Sequence, residues 1–138
     1  MARTRVLLAD DHLETAELLR GLLQPEFDVI ANVTDGRTLV KYADRLAPDV
    51  IVSDITMPDL DGIGAATAIL RANPSARIVF VTVHGDRSVV VRALSTGALG
   101  YVLKWSAGDE LIPAIRAALA GQRHICSALH FEHIAEAS

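Results

Sequence analysis

Five short apolar runs, rich in β-branched residues, alternate along this chain with five segments whose apolar residues recur at helical spacing. The runs cover residues 5–10, 27–33, 49–54, 77–83 and 100–104. The helical segments cover 12–24, 37–46, 63–72, 87–96 and 109–120, the first carrying Leu13, Ala16, Leu19 and Leu23 on one face. Pro25, Thr34-Asp35-Gly36, Pro48, Asn73-Pro74, Gly97 and Gly121 punctuate the pattern. Strict alternation of this kind implies right-handed βαβ crossovers, and so an α/β fold with a five-stranded parallel sheet, doubly wound and covered on both faces.

Two segments resist local reading. Val89-Val90-Val91 resembles a strand, because valine is a weak helix former, but the alternation assigns it to the fourth helix and leaves that helix easy to shift. Pro113 lies well inside the last helix, where it removes a backbone hydrogen bond and should bend the first turns.

In parallel sheets of this kind, ligands bind beyond the carboxyl ends of the strands. Four of the runs end there on polar residues: Asp10-Asp11 on the first, Asp54 on the third, Thr82 on the fourth and Lys104 on the fifth. Taken alone, Asp54 at its strand-to-loop junction either caps a turn or carries chemistry. Asp59 and Asp61 just beyond it belong to solvent or to the next helix start. As a set the residues say more. Clustered carboxylates repel unless a cation compensates them, so Asp10, Asp11 and Asp54 read as a hard-metal site suited to Mg²⁺, which accepts few carboxylates and keeps waters. Lys104 offers a compact positive charge and Thr82 a hydroxyl, both fitted to a phosphoryl group. A carboxylate can itself attack phosphorus to give an acyl phosphate.

Composition narrows the class. The 138 residues, 51% of them hydrophobic, suit one domain with a sizeable core. A net charge of −4 without any basic block argues against nucleic-acid binding by this chain. The single cysteine, Cys126, excludes an internal disulfide and fits a reducing compartment. The apolar run 6–9 behind Arg3 and Arg5 is too short for a signal peptide or membrane helix. The expectation is a soluble cytoplasmic protein with no membrane contact.

From residue 5 to about 121 the chain resembles the response-regulator receiver domains of two-component signalling. The resemblance rests on Leu7-Leu8-Ala9-Asp10-Asp11, on Ser53-Asp54-Ile55-Thr56-Met57-Pro58-Asp59-Leu60-Asp61-Gly62, on Thr82 and on Gly100-Tyr101-Val102-Leu103-Lys104. It implies the strand order 2-1-3-4-5, with 1–121 as the receiver and 122–138 as a tail or the start of a linker. It further implies that a sensor histidine kinase phosphorylates Asp54. Mg²⁺ would be held by Asp11, Asp54 and the Thr56 backbone carbonyl, with Asp10 acting through water. Lys104 would pair with the phosphoryl group, and Thr82 would move toward it and let Tyr101 turn inward, remodelling a surface for homodimers or other partners. Gly97-Ala98-Leu99-Gly100-Tyr101 and the closing Ala120-Gly121-Gln122-Arg123-His124 look most like receivers of NarL/LuxR-type transcription regulators. Such regulators add a DNA-binding domain, for which 122–138 is too short, so the chain is either the receiver part of one or a stand-alone receiver or phosphorelay protein. It departs from many receivers in placing Trp105, not proline, after the site lysine.

Other residues carry two readings each. His84 either flanks the phosphoryl site and modulates phosphate lifetime or is a solvated loop histidine. Tyr101 is either a switch or a packed aromatic. Trp105 is either an exposed contact residue or a ring packed on the last helix. Cys126, His130 and His133 lack a fourth ligand for a zinc site, and a tail helix is the simpler expectation. Among rival classes, a flavin carrier would need backbone donors and hydroxyls for its phosphate after the first strand, where Asp10-Asp11 would repel the phosphate. A Mg²⁺-dependent aspartyl phosphatase would carry a second acid two residues after a first-strand nucleophile, where this chain has His12.

Overall fold

The computed structural model describes residues 3–129. In chain order the elements are β1 (Arg5–Ala9), α1 (Leu13–Leu23), β2 (Asp28–Val33), α2 (Gly36–Leu46), β3 (Val50–Ser53), α3 (Gly62–Ala72), β4 (Ile78–Thr82), α4 (Arg87–Ser95), β5 (Gly100–Leu103), α5 (Ala107–Leu119) and β6 (His124–Ile125), with a 3₁₀ turn at Lys104–Ser106 before α5. All pairings are parallel and the order is β2-β1-β3-β4-β5-β6.

Strand residues alternate between two cores, as the two-residue period of a pleated sheet requires. Leu7, Ala9, Ile51, Ile78, Phe80 and Tyr101 pack on one face with α2, α3 and α4 residues such as Leu39, Ala65, Ile69, Val90 and Leu94. Val6, Leu8, Val52, Val79, Val81 and Val102 pack on the other with α1 and α5 through Leu19, Leu23, Leu111 and Ile115. Both faces being covered, β1, β3, β4 and β5 are buried almost throughout, which is why their sequences run apolar rather than alternate. No helix among the described residues is long and apolar enough to cross a membrane.

The valine-rich stretch is helical, as the alternation required, and it buries Val90, Ala93 and Leu94. Asp61 belongs to the helix start: its carboxylate accepts from Gly64 N–H at 2.7 Å and caps α3, as Asp35 caps α2 through Thr38 N–H at 2.8 Å. α5 runs through Pro113 and begins at Ala107, two residues before its expected start. Gly121, at φ 73°, closes it with Gly121 N–H to Ala118 O and Gln122 N–H to Ala117 O, a Schellman ending.

Of the expected tail helix, Cys126 to Leu129 form loop and turn, and the rest lies outside the described residues. The expected order β2-β1-β3-β4-β5 holds, and one short strand the sequence reading did not include, β6, is added on the outer edge of β5. The physical reason is the outer edge of β5, whose Leu99 and Tyr101 carbonyls accept from His124 and Cys126 N–H at 2.8 Å each once Gly121 has turned the chain back. A strand of two residues carries no periodicity to read. His130 and His133 lie outside the described residues.

Gly62 illustrates how tightly the loop after β3 is held. A Cβ there would sit 2.0 Å from the Asp54 carbonyl oxygen and 2.9 Å from Ile55 Cα, both backbone atoms that cannot step aside cheaply. Gly62→Ala is expected to destabilise the fold by about 2 kcal/mol through overpacking, read as a lower urea midpoint.

Candidate functional site

The carboxyl edge of the sheet collects the residues expected there. Asp10 follows β1 and is fully buried, Asp54 follows β3 at 4% exposure, Thr82 ends β4 fully buried, and Lys104 follows β5. Lys104 Nζ donates to Asp54 Oδ2 at 2.8 Å. It also lies 3.1 Å from Asp10 Oδ2, but the angle falls short of a hydrogen bond, so this buried oxygen is ion-paired without a hydrogen-bond donor. The other oxygens are held by backbone: Ile55 N–H donates to Asp54 Oδ1 at 2.7 Å and His12 N–H to Asp10 Oδ1 at 2.8 Å. Burial alone would lower the Lys104 ammonium, but the Asp54 and Asp10 carboxylates outweigh it and hold the pKa above the ordinary lysine value.

Among the described residues, Asp10, Asp11, His12 and Asp54 form the group close enough to share a cation, their ligand atoms lying within 4.8 Å of one another. Three carboxylates against one ammonium leave excess negative charge, and one buried oxygen without a donor faces it. That donor set fits a small divalent cation. Histidine 12 was not singled out as a ligand in the sequence. Its Nδ1 lies 3.4 Å from Asp10 Oδ1 and 3.3 Å from Asp11 Oδ1, and its place directly after the acidic pair was the available signal.

The loops around the site are tied together by His84. Its ring Nε2 and Thr56 Oγ1 are hydrogen-bonded at 2.7 Å, its N–H donates to Thr82 Oγ1 at 3.4 Å, and its carbonyl accepts the Tyr101 hydroxyl at 2.7 Å. Tyr101 is fully buried beside Phe80, ring centroids 6.4 Å apart, and points inward. Burial, with the Asp86 and Asp54 charges adding to it, pushes its phenol well above the ordinary tyrosine range. Trp105 is 73% exposed on the 3₁₀ turn, so the packed reading of its ring gives way to the exposed one. The peptide before it is trans, like every other among the described residues. Cys126 is buried, its thiol 3.4 Å from both Ser106 Oγ and Glu110 Oε2.

The family model for the response regulator receiver domain matches residues 6–116. The chain belongs to that family. Its relatives include the transcriptional regulatory protein DegU of Brevibacillus brevis, 34% identical over 89% of this chain and 53% of its own length. LiaR of Bacillus subtilis is 40% identical over 86% of this chain and 57% of its own length. A LuxR-family two-component response regulator from Aurantimonas sp. SI85-9A1 superposes with a TM-score of 0.87 at 34% identity, covering 93% of each chain. The chain thus spans about half the length of the curated relatives it matches. It is a receiver domain of the two-component type, close to those of LuxR/NarL-type transcription regulators. Receivers of this family are in general signalling domains rather than enzymes.

Lys104→Met would leave two buried carboxylates uncompensated and is expected to cost about 3 kcal/mol, measured by chemical unfolding and partly restored by a divalent cation. The alkaline arm gives a second readout. A lysine held above its ordinary 10.5 contributes stability that is fully present below that pH and is lost as pH rises through the folded value. The wild-type stability decline beyond about pH 10.5 is therefore expected to flatten in Lys104→Met.

Proposed function

We propose that this chain is the phosphoacceptor receiver of a two-component pair, with Asp54 taking the phosphoryl group of a phosphohistidine on a sensor histidine kinase. The observation that carries the reading is the Asp54 carboxylate itself: buried, paired with Lys104 at 2.8 Å, and set among Asp10, Asp11 and His12. A carboxylate oxygen attacks phosphorus, the phosphorus–nitrogen bond breaks, and the imidazole keeps the electron pair. Water later cleaves the acyl phosphate and restores Asp54.

Asp11, Asp54 and the Thr56 carbonyl would hold Mg²⁺, with Asp10 acting through water, and the cation would neutralise charge on the transferring phosphoryl oxygens. Lys104 is already aimed at Asp54 and would pair with a phosphoryl oxygen instead. Thr82, now accepting from His84 N–H, has the hydroxyl to turn toward the same group. Tyr101, inward in this structure, would be fixed there. His84 bonds Thr56, two residues beyond Asp54, so it would influence how readily water reaches the acyl phosphate.

The output is a surface built from α4 and β5 that favours self-association. Residues 1–121 carry the five expected strands of the receiver, and 122–138, which open with β6 on the edge of that sheet, lead toward a DNA-binding module of a longer regulator, a reading supported by the half-length match to DegU and LiaR. The chain itself, at net charge −4, would not bind nucleic acid. We place it in the cytoplasm, where Cys126 stays reduced. A stand-alone receiver or phosphorelay protein is the alternative.

Acetyl phosphate with Mg²⁺ is expected to add one phosphoryl mass to the chain, and none to Asp54→Asn or without the metal. Full labelling of that variant would overturn the assignment, and continued turnover of phosphate esters would favour a phosphatase. Sedimentation of the chain with beryllofluoride and Mg²⁺ is expected to shift from monomer toward dimer; unchanged profiles would point to a different protein partner.

A further inference from the structure

The sheet continues past α5 into a segment for which the phosphoryl chemistry has no use. β6 is only two residues long, yet its neighbours are fastened on three sides. His124 and Cys126 N–H donate to the Leu99 and Tyr101 carbonyls at 2.8 Å each. Cys126 and Leu129 are buried in the same core cluster as Tyr101, Leu103, Val90 and Leu94. The third fastening is Glu110, in the first turn of α5. Its carboxylate accepts Ser127 N–H at 2.9 and 3.1 Å and Ser127 Oγ at 2.6 Å, with His124 Nε2 at 3.0 Å and Cys126 Sγ at 3.4 Å. These bonds, chiefly the Ser127 hydroxyl, hold the Glu110 carboxyl down to about 2, so the latch stays charged at all but strongly acidic pH.

Tyr101 is therefore anchored at both ends. Its hydroxyl donates to the His84 carbonyl, and the His84 ring bonds Thr56, two residues beyond Asp54. Its own carbonyl accepts from Cys126, and its ring shares a core with Cys126 and Leu129. Turning the ring outward would break the hydroxyl bond and withdraw the aromatic from the core cluster it shares with Cys126 and Leu129. Lifting residues 124–129 would strip the Tyr101 carbonyl of its donor and take Cys126 and Leu129 out of the same cluster. Each event favours the other, while a two-residue strand and a rim-side polar latch can open without unfolding the sheet.

We propose that residues 124–129 are a strap, latched by Glu110, that closes the pocket of Tyr101, so that the seating of the strap and phosphoryl occupancy of Asp54 are coupled. The proposal rests on the reading of Asp54 as phosphoacceptor and of Tyr101 as the element that moves. Because coupling between two sites is reciprocal, a phosphoryl group at Asp54 tightens the strap, and a loosened strap weakens the hold of Asp54 on the phosphoryl group. The chain beyond Leu129 is thereby tied to the state of the site.

The test is amide hydrogen exchange on the full chain with and without beryllofluoride and Mg²⁺, together with Glu110→Gln and Ser127→Ala. Exchange at His124, Cys126 and Ser127 is expected to slow by about tenfold with the mimic, and to quicken by about tenfold in either variant without it. Both variants are also expected to need several-fold more beryllofluoride for half-saturation. If Glu110→Gln fails to fold, Ser127→Ala, which removes only a rim hydroxyl, carries the comparison alone. Beryllofluoride binding with unchanged strap exchange and variant affinities equal to wild type would overturn the strap while leaving the phosphoacceptor reading intact. Failure of acetyl phosphate to label wild-type Asp54 would overturn both.

Discussion

Two carboxylates and one ammonium share a nearly dry edge of the sheet, and the arrangement of the chain follows from bringing them together. Taking Asp10 and Asp54 out of water is costly, and Lys104 offsets only part of that cost because one cation serves two anions. The strand order decides which side chains can meet. β1 and β3 are neighbours, so the aspartates that follow them bring their carboxylates within 4.8 Å of one another. β5 lies beyond β4, two strand spacings or about 10 Å from β3, and only a long side chain spans that gap. Lysine does so from the start of the 3₁₀ turn, passing the end of β4 where Thr82 stands. The remaining negative charge is what gives the edge its affinity for a cation, and with a cation present, its capacity to accept a phosphoryl group.

The fold was legible because β1, β3, β4 and β5 are buried on both faces and each helix on one, so burial wrote a different pattern into strands and helices. That is why the valines of α4 could be assigned against their own propensity: neighbouring elements demanded a helix where the local residues suggested a strand. The same logic brought out Asp10, Asp11, Asp54 and Lys104, since polar residues ending apolar runs must lie at one edge of a parallel sheet. What remained hidden depends on pairs far apart in the chain. β6 exists because the β5 edge offers two carbonyls, and nothing in His124-Ile125 announces it. The Glu110 latch joins residues 14 to 17 positions apart across a helix and a turn. The His84 bridge to Thr56 spans 28 positions, and which of two plausible roles each residue plays depends on where the other loop lies.

Trp105 and Lys104 show how sharply one turn can separate environments. Lys104 sends its stem inward to 13% exposure while the next residue leaves its indole 73% exposed. A 3₁₀ turn rotates about 120° per residue, so consecutive side chains need not share a face. The bulky aromatic is thereby kept out of the charge cluster, where it would have displaced water and ligand alike, and is presented beside the same edge that carries the chemistry.

Rigidity is distributed unevenly around that edge, and the distribution matches the proposed roles. α2 and α3 begin on aspartates that cap their free amides, and Gly62 locks the start of α3 against the Asp54 backbone. α4 has Asp86 at its N-cap without a side-chain cap bond, is nine residues long, and is built on three consecutive valines. Its inner face nevertheless packs in the cluster that contains Tyr101. The element with the weakest internal support is thus the one in contact with the doubly anchored tyrosine. A change of a few hydrogen bonds at Asp54 can then be absorbed by α4 and the β5 edge without disturbing the parallel sheet that holds the carboxylates in place.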